Sequence, residues 1–212
     1  MDLKSKEKSD RNLIKEGEKS SQTVWLERKS FRSALIGIFT ALAVVLGYAL
    51  VFIPNIELFT LMIFLSGFIM GKRDGAIVGI MSSFIFVFFN PYGISPIPLF
   101  AYQLAHYASV GLLGGVMCDF LSKKEFFKPE EDLYVFSILL TFAIIGALIT
   151  FTFDVISTLI GALVFYGSIE SFWPTYIIGL PFTTIHLIGN MLGFIFILPG
   201  LIQLIYKMLD IS

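Results

Sequence analysis

The basic residues of this chain are confined to alternate connections between six long apolar stretches. All 15 Lys and Arg residues lie within positions 1–32, at 72–73, within 123–128, or at Lys207. The other three connections, near positions 54, 92 and 169, contain none. Because Lys and Arg mark cytoplasmic loops, the pattern predicts six membrane crossings with both termini in the cytoplasm.

The apolar content supports a membrane location. Of the 212 residues, 56% are hydrophobic and only 15% are charged, which is outside the range of a soluble domain. We therefore predict an all-α integral membrane protein, a six-transmembrane-helix bundle in the cytoplasmic (plasma) membrane. The six predicted segments cover residues 33–53, 56–71, 75–89, 96–121, 133–165 and 173–206.

Three regions are predicted around these segments. Residues 1–32 carry nine Lys/Arg and six Asp/Glu with almost no apolar run, which is typical of a disordered cytoplasmic tail. A surface helix over 24–31 is the alternative. Residues 33–207 form the membrane domain, and residues 208–212 form a short C-terminal tail.

Segment lengths predict an irregular outer side. Segments 56–71 and 75–89 would each be about 23 Å long as helices, shorter than a hydrocarbon core of about 30 Å. Pro174, Gly179 and Pro181 interrupt the last segment, so we expect a capping loop there and a helix over 183–207. Short helices and intruding loops together predict a cavity open to the outside.

Polar residues inside apolar segments are costly and are the first candidates for a ligand site. Asp154 lies in the outer half of the fifth segment. His186 and Asn190 are spaced i, i+4, and Gln103 and His106 are spaced i, i+3, so each pair shares a helix face. We expect these side chains to converge on one polar ligand; the alternative is that each histidine bridges neighbouring helices.

The outer loops add four candidates to the ligand site. Glu57 follows the first outer turn and either reaches a ligand or caps the second segment, where the helix dipole favours an acid. Asn90 lies in the second outer turn. Tyr92 and Trp173 either stack on a flat ligand ring or belong to the interfacial aromatic belt.

Small residues form a stripe on the first segment. Ser33, Gly37 and Ala41 recur every four residues, a spacing that allows another helix to approach closely. The stripe either packs within the bundle or contacts a separate subunit.

Signatures of enzymes, metal sites and nucleic-acid binding are missing from the sequence. It has no His-Glu-x-x-His, no Gly-rich phosphate loop and no Gly-x-Ser-x-Gly, so we predict no enzyme activity and no cofactor. Two histidines and Asp154 lack a third ligand of known spacing, so no metal is expected. Any energy for transport must come from another subunit or an ion gradient.

Several motifs resemble a known family. The stretch 34–46, ALIGIFTALAVVL, resembles the first helix of the substrate-binding S components of energy-coupling factor (ECF) vitamin transporters, with Gly37 and Ala41 at the positions of the family's Ala-xxx-Ala signature. PNIEL at 54–58, FLSG at 64–67, GKRDGA at 71–76 and NPYG at 90–93 are similar to a common branch of that family. The resemblance covers residues 33–207.

The resemblance implies a division of labour between subunits. An S component captures a vitamin from outside and docks through its first helix onto a transmembrane coupling subunit driven by two ATPases, which hydrolyse the ATP. Ser33, Gly37 and Ala41 would then serve docking. The pocket candidates come from depth and polarity alone.

Alternative functions stay open at this point. They are a membrane scaffold similar to the rod-shape morphogenesis protein MreD, a small ion-coupled secondary transporter, and a membrane enzyme. For an S component, riboflavin, cobalamin and pantothenate remain possible cargoes, and the energising module is either dedicated or shared. The lack of outward Lys or Arg argues against strongly anionic cargo such as folate or thiamine phosphates.

Overall fold

The computed structural model describes residues 28–209, and every regular element within them is a helix. Of the tail predicted over residues 1–32, positions 1–27 lie outside the described residues, and so do residues 210–212. The helices are α1 (Lys29–Leu50), α2 (Phe59–Met70), α3 (Lys72–Phe88), α4 (Ile97–Leu121), α5 (Phe136–Tyr166), α6 (Phe172–Phe196) and α7 (Leu198–Leu209), with a 3-10 turn (Ile169–Ser171) before α6. Helix α1 begins at Lys29 rather than at the predicted Ser33.

The prediction of a helical, multi-pass membrane protein is confirmed. Within residues 28–209, four helical stretches are long and apolar enough to cross a membrane: Lys29–Leu50, Ile97–Leu121, Phe136–Tyr166 and Ile169–Leu209. Helix α2 is a shorter apolar helix of 12 residues, and α3 has 17 residues. At 1.5 Å per residue these two helices are about 18 and 26 Å long.

Helix α2 occupies the centre of the bundle. All but one of its 12 residues are buried, as expected for a helix that is apolar on every side. Its aromatic rings contact the later helices: Phe64 packs against Phe194 of α6 at 5.2 Å between ring centroids, and Phe68 packs against Phe142 of α5 at 6.2 Å. Helix α2 thus forms the apolar core around which the other helices pack.

Helices α2, α3 and α4 meet at backbone contact. A Cβ built on Gly67 would overlap the carbonyl oxygen of Gly111, and a Cβ built on Gly111 would overlap that of Gly75. Gly79 has the same relation to the carbonyl oxygen of Tyr107. Glycines at these positions let the three helices approach more closely than side chains allow.

Two ion pairs join the helices at the end of the bundle that carries the basic residues. Arg32 of α1 pairs with Asp74 of α3 at 2.7 Å, and Lys72 of α3 pairs with Asp119 of α4 at 2.7 Å. The Asp74 side chain is only 7% exposed, whereas both partners of the Lys72 pair are more than half exposed. The Arg32 pair is therefore the stronger of the two links, because exposed pairs contribute little.

The last segment differs from the prediction. The expected capping loop is not seen, and α6 runs continuously through Pro174 and Pro181. Pro174 lies in the first turn, where a backbone N–H has no intrahelical partner, and Pro181 is accommodated inside the helix. The break falls instead at Ile197, between α6 and α7, because Pro199 has no N–H to donate to Ile195.

The glycine contacts generate a stability prediction. Gly111→Ala places a methyl group against the backbone of α3, which cannot rotate away, so the free energy of unfolding should fall by about 3 kcal/mol or more. Gly161→Ala on α5 is the matched control, because its nearest atom is 4.0 Å from the added Cβ. Thermal melting of the two purified variants in detergent measures the difference. Equal melting temperatures would contradict the close packing.

Candidate functional site

Polar side chains on α5 and α6 meet in pairs across two antiparallel helices. Nδ1 of His186 lies 2.9 Å from Oδ1 of Asp154. One turn further along both helices, Nδ2 of Asn190 donates to Oγ1 of Thr150 at 2.9 Å. The i, i+4 spacing on each helix therefore brings two polar pairs together on one shared face.

Glu57 joins this group from the turn between α1 and α2. Its Oε1 accepts hydrogen bonds from Nδ2 of Asn190 at 3.2 Å and from Oγ1 of Thr60, and lies 3.3 Å from Nε2 of His186. Asn55 adopts a positive φ of 59° in the same turn, a conformation that asparagine tolerates. We call Glu57, Thr60, Thr150, Asp154, His186 and Asn190 the polar cluster.

The alternative that Glu57 only caps the start of α2 does not account for the contacts that its carboxylate makes with other side chains. The N-cap position of α2 is Leu58, which makes no side-chain capping hydrogen bond within the described chain. The Glu57 carboxylate instead contacts side chains of α2 and α6. Glu57 therefore links the first outer turn to the last long helix.

His186 is held between two carboxyl groups. Its side chain is 9% exposed, compared with 12% for Asp154 and 20% for Glu57. When both acids are ionised they only accept hydrogen bonds, so an imidazole that bonds both of them donates from both ring nitrogens, which is its cationic form. The arrangement then places one positive charge between two negative charges.

Three oxygen atoms in this region have no hydrogen-bond partner among residues 28–209. They are Oδ2 of Asp154, Oδ1 of Asn190 and Oε1 of Gln103. Buried polar atoms are nearly always paired in proteins, by the chain itself, by water or by a ligand. The three unpaired acceptors therefore make this region a candidate for binding water or a ligand that donates hydrogen bonds.

A cavity of about 230 Å³ opens beside the polar cluster. Four of the predicted site residues line it: Glu57, Asn90, Gln103 and His186. Its aromatic walls are Phe86, Tyr107 and Phe153, and its rim is the turn between α1 and α2. Asp154 and Asn190 do not line the cavity; they contact the lining residues His186 and Glu57, respectively.

His106 faces a different hollow from His186. It lines a space of about 200 Å³ with Ser109 and Thr152. The Phe153 ring packs against both histidines, with centroids 5.1 Å from His106 and 6.2 Å from His186. His106 is therefore next to the cavity but separated from it by an aromatic ring.

The two predicted stacking aromatics lie on the surface. Tyr92 is 72% exposed and Trp173 is 65% exposed, and neither lines the cavity. The Tyr92 backbone N–H donates to Oδ1 of Asn90 at 2.9 Å, and the Trp173 ring packs against Phe172. Their exposure favours the interfacial-belt alternative.

The small-residue stripe on α1 is also on the surface. Ser33, Gly37 and Ala41 are exposed, and a Cβ built on Gly37 has no atom of the described chain within 4 Å. The opposite face of α1 is the one that packs in the bundle, through Phe39 and Ala43. The internal-packing alternative therefore does not account for the stripe.

Sequence reasoning missed several members of the site. Thr150 lies one turn before Asp154, and Thr60 lies three residues after Glu57, so helical spacing could have identified both. Phe86 and Phe153 are two of 23 phenylalanines in the chain. Nothing in their local sequence distinguishes them from core residues.

The polar cluster is arranged for hydrogen bonding. Within the described part of the chain, no group of three or more His, Cys, Asp or Glu side chains is placed to hold a metal ion. The His186 ring lies between the two acids at hydrogen-bond distances of 2.9 and 3.3 Å. The cluster can therefore hold a proton or bind a polar group.

These features define a multi-pass helical membrane protein with a buried polar cluster beside a small cavity. No family model, curated protein or solved structure matches the chain. Its function must therefore be argued from the site itself.

The two histidines should differ in their effect on stability. His186→Ala removes the hydrogen-bond partner that the partly buried acids Glu57 and Asp154 share, so we expect a loss of about 3 kcal/mol or more in the free energy of unfolding. His106→Ala is the control, since His106 packs against aromatic rings and, among the described residues, its side chain has one long hydrogen bond, of 3.4 Å, to the Tyr102 hydroxyl. Thermal melting in detergent compares the two variants. A larger effect for His106→Ala would contradict the assigned role of His186.

Proposed function

We propose that this chain is a substrate-binding S component of an ECF transporter. It binds a vitamin or related small molecule from outside the cell and delivers it to a transmembrane coupling subunit and an ATPase pair. The chain itself contributes no catalysis. The observation that carries the proposal is the cavity beside Glu57 and His186, where polar groups that lipid would penalise face a space of about 230 Å³.

The distribution of charge supports an outward cavity. The cavity lies at the end of the bundle formed by the turns after α1 and α3, which contain no Lys or Arg. Lys72, Lys123 and Lys207 mark the other end, which the positive-inside rule assigns to the cytoplasm. Six crossings in the plasma membrane, with both termini inside, follow if α2 and α3 each count as one crossing and α6 with α7 as another.

The surface of α1 supports a partner subunit. Ser33, Gly37 and Ala41 form an exposed stripe of small residues, and such stripes let helices pack at short distances in membranes. A scaffold protein similar to MreD would also present helix faces, but it would not require a cavity lined by polar groups. The cavity and the stripe together favour the S component.

The polar cluster also supports a second candidate function. An imidazole between two carboxylates is an arrangement found in proton relays, and ionisable groups inside membranes often mark ion pathways. An ion-coupled secondary transporter would use His186, Asp154 and Glu57 in this way. Its uptake would stop when an ionophore removes the ion gradient, whereas ECF uptake would depend on ATP.

Two measurements test the proposed function. Mass spectrometry of the denatured, purified protein should identify a co-purified vitamin-like molecule. Co-purification from native membranes should recover a coupling subunit and two ATPases. Uptake that continues without ATP but stops with an ionophore would support the ion-coupled transporter instead.

Docking and ligand binding should be separable. Gly37→Leu places a large side chain on the exposed face of α1, so we expect normal ligand binding and at least about a tenfold loss of uptake. Gly161→Leu on α5 is the control, because a Cβ built on Gly161 has its nearest atom, on the Phe165 side chain, at 4.0 Å. Ligand content by mass spectrometry and uptake by cells measure the two effects. Normal uptake by Gly37→Leu would exclude the docking role.

A further inference from the structure

The polar cluster beside the cavity carries an excess of negative charge when both of its acids are ionised. None of the described residues that line the cavity is Lys or Arg. His186 in its cationic form is bonded to Glu57, which lines the cavity, and to Asp154, which lies behind the lining, so the cluster has one positive and two negative charges. Uncompensated charge is costly in a low-dielectric interior, which favours a ligand that supplies a positive charge.

The unpaired polar atoms point in the same direction. Oε1 of Gln103, a lining residue, and the unpaired oxygens of Asp154 and Asn190 are all acceptors. The orientation of the Asn190 amide follows from its hydrogen bonds, since its Nδ2 donates to Glu57 and Thr150. Of Gln103, Asp154 and Asn190, only Gln103 lines the cavity. Its oxygen therefore favours a ligand that donates a hydrogen bond, whereas an anion would leave it unpaired.

The aromatic walls and the volume restrict the ligand further. Phe86, Tyr107 and Phe153 present rings to the cavity, and aromatic rings attract cations. The volume of about 230 Å³ is below the range of about 300 to 1,000 Å³ that is usual for drug-sized ligands. The space therefore fits a small, flat group.

We infer that the ligand of this cavity is a small cation that donates hydrogen bonds, such as an ammonium or amidinium group on a planar ring. Glu57 supplies the charge that faces it, Gln103 accepts a hydrogen bond from it, and Phe153 and Tyr107 flank it. This inference rests on the proposed binding function and specifies its ligand class.

Three probes of nearly equal shape test the charge preference. Benzamidinium, benzamide and benzoate share one ring and differ in charge from positive through neutral to negative. We expect benzamidinium to raise the melting temperature of the full-length protein in detergent most and benzoate not at all. Its dissociation constant should be lower than that of benzoate by about tenfold or more. Equal effects of the three probes, including no effect from any, or stronger stabilisation by benzoate, would overturn the inference.

Variants that remove the charge of one acid test whether that acid causes the preference for benzamidinium. Glu57→Gln keeps an oxygen acceptor for Thr60 and Asn190 but removes the charge, so the advantage of benzamidinium over benzamide should be lost. Glu125→Gln is the matched control, since Glu125 is exposed in the loop between α4 and α5. Asp154→Asn gives a second test if Glu57→Gln does not fold. A preference that survives in every folded variant of these two acids would exclude the cavity as its source.

The failure of this inference can be distinguished from failure of the proposed function. A co-purified ligand that is anionic would overturn the inference while leaving ECF-dependent uptake intact. Preference for benzamidinium in a protein that binds no coupling subunit would support the inference and overturn the proposed function.

Discussion

The hydrogen bonds from His186 to Glu57 and Asp154 are the interactions on which the candidate site depends. Glu57 lies 129 positions from His186 in the sequence, and Asp154 lies 32 positions from it. The cluster therefore forms only after three elements have come together: helix α5, helix α6 and the turn that joins α1 to α2. An isolated charge inside a membrane costs several kcal/mol. Shared hydrogen bonds lower that cost for each member, which makes the cluster sensitive to loss of its central imidazole.

The rest of the bundle provides a rigid support beside this cluster. The glycines of α2, α3 and α4 bring backbones into contact, and interfaces of this kind leave no space for a ligand. The cavity opens where the packing changes to large rings, at Phe86, Tyr107 and Phe153. Tight packing on one side and aromatic walls on the other thus determine where the cavity lies.

The sequence predicted the helices better than their contacts. Hydropathy and turn residues located the segments to within a few residues, and helical spacing placed His186 and Asn190 on one face. The register that pairs them with Asp154 and Thr150 could not be read, because it depends on how Phe194 packs against Gly146 across α5 and α6. The continuity of α6 through Pro181 was missed for a similar reason, since neighbouring helices can stabilise a helix that contains proline.

Helix α1 contributes to both surfaces that the proposed function requires, which are the docking stripe and the wall of the cavity. Its exposed face carries Gly37, and its buried face ends at Gly47. A Cβ built on Gly47 would lie only 2.9 Å from the Phe86 ring, which forms part of the cavity wall. The Tyr48 hydroxyl donates to backbone carbonyl oxygens of α3 at 3.1 and 3.2 Å beside the same wall. From Gly37 to the end of α1 is about 20 Å along a single helix. In the proposed S component, a partner that tilts α1 would therefore also displace the wall and the turn that carries Glu57, which would couple docking to ligand release through one helix.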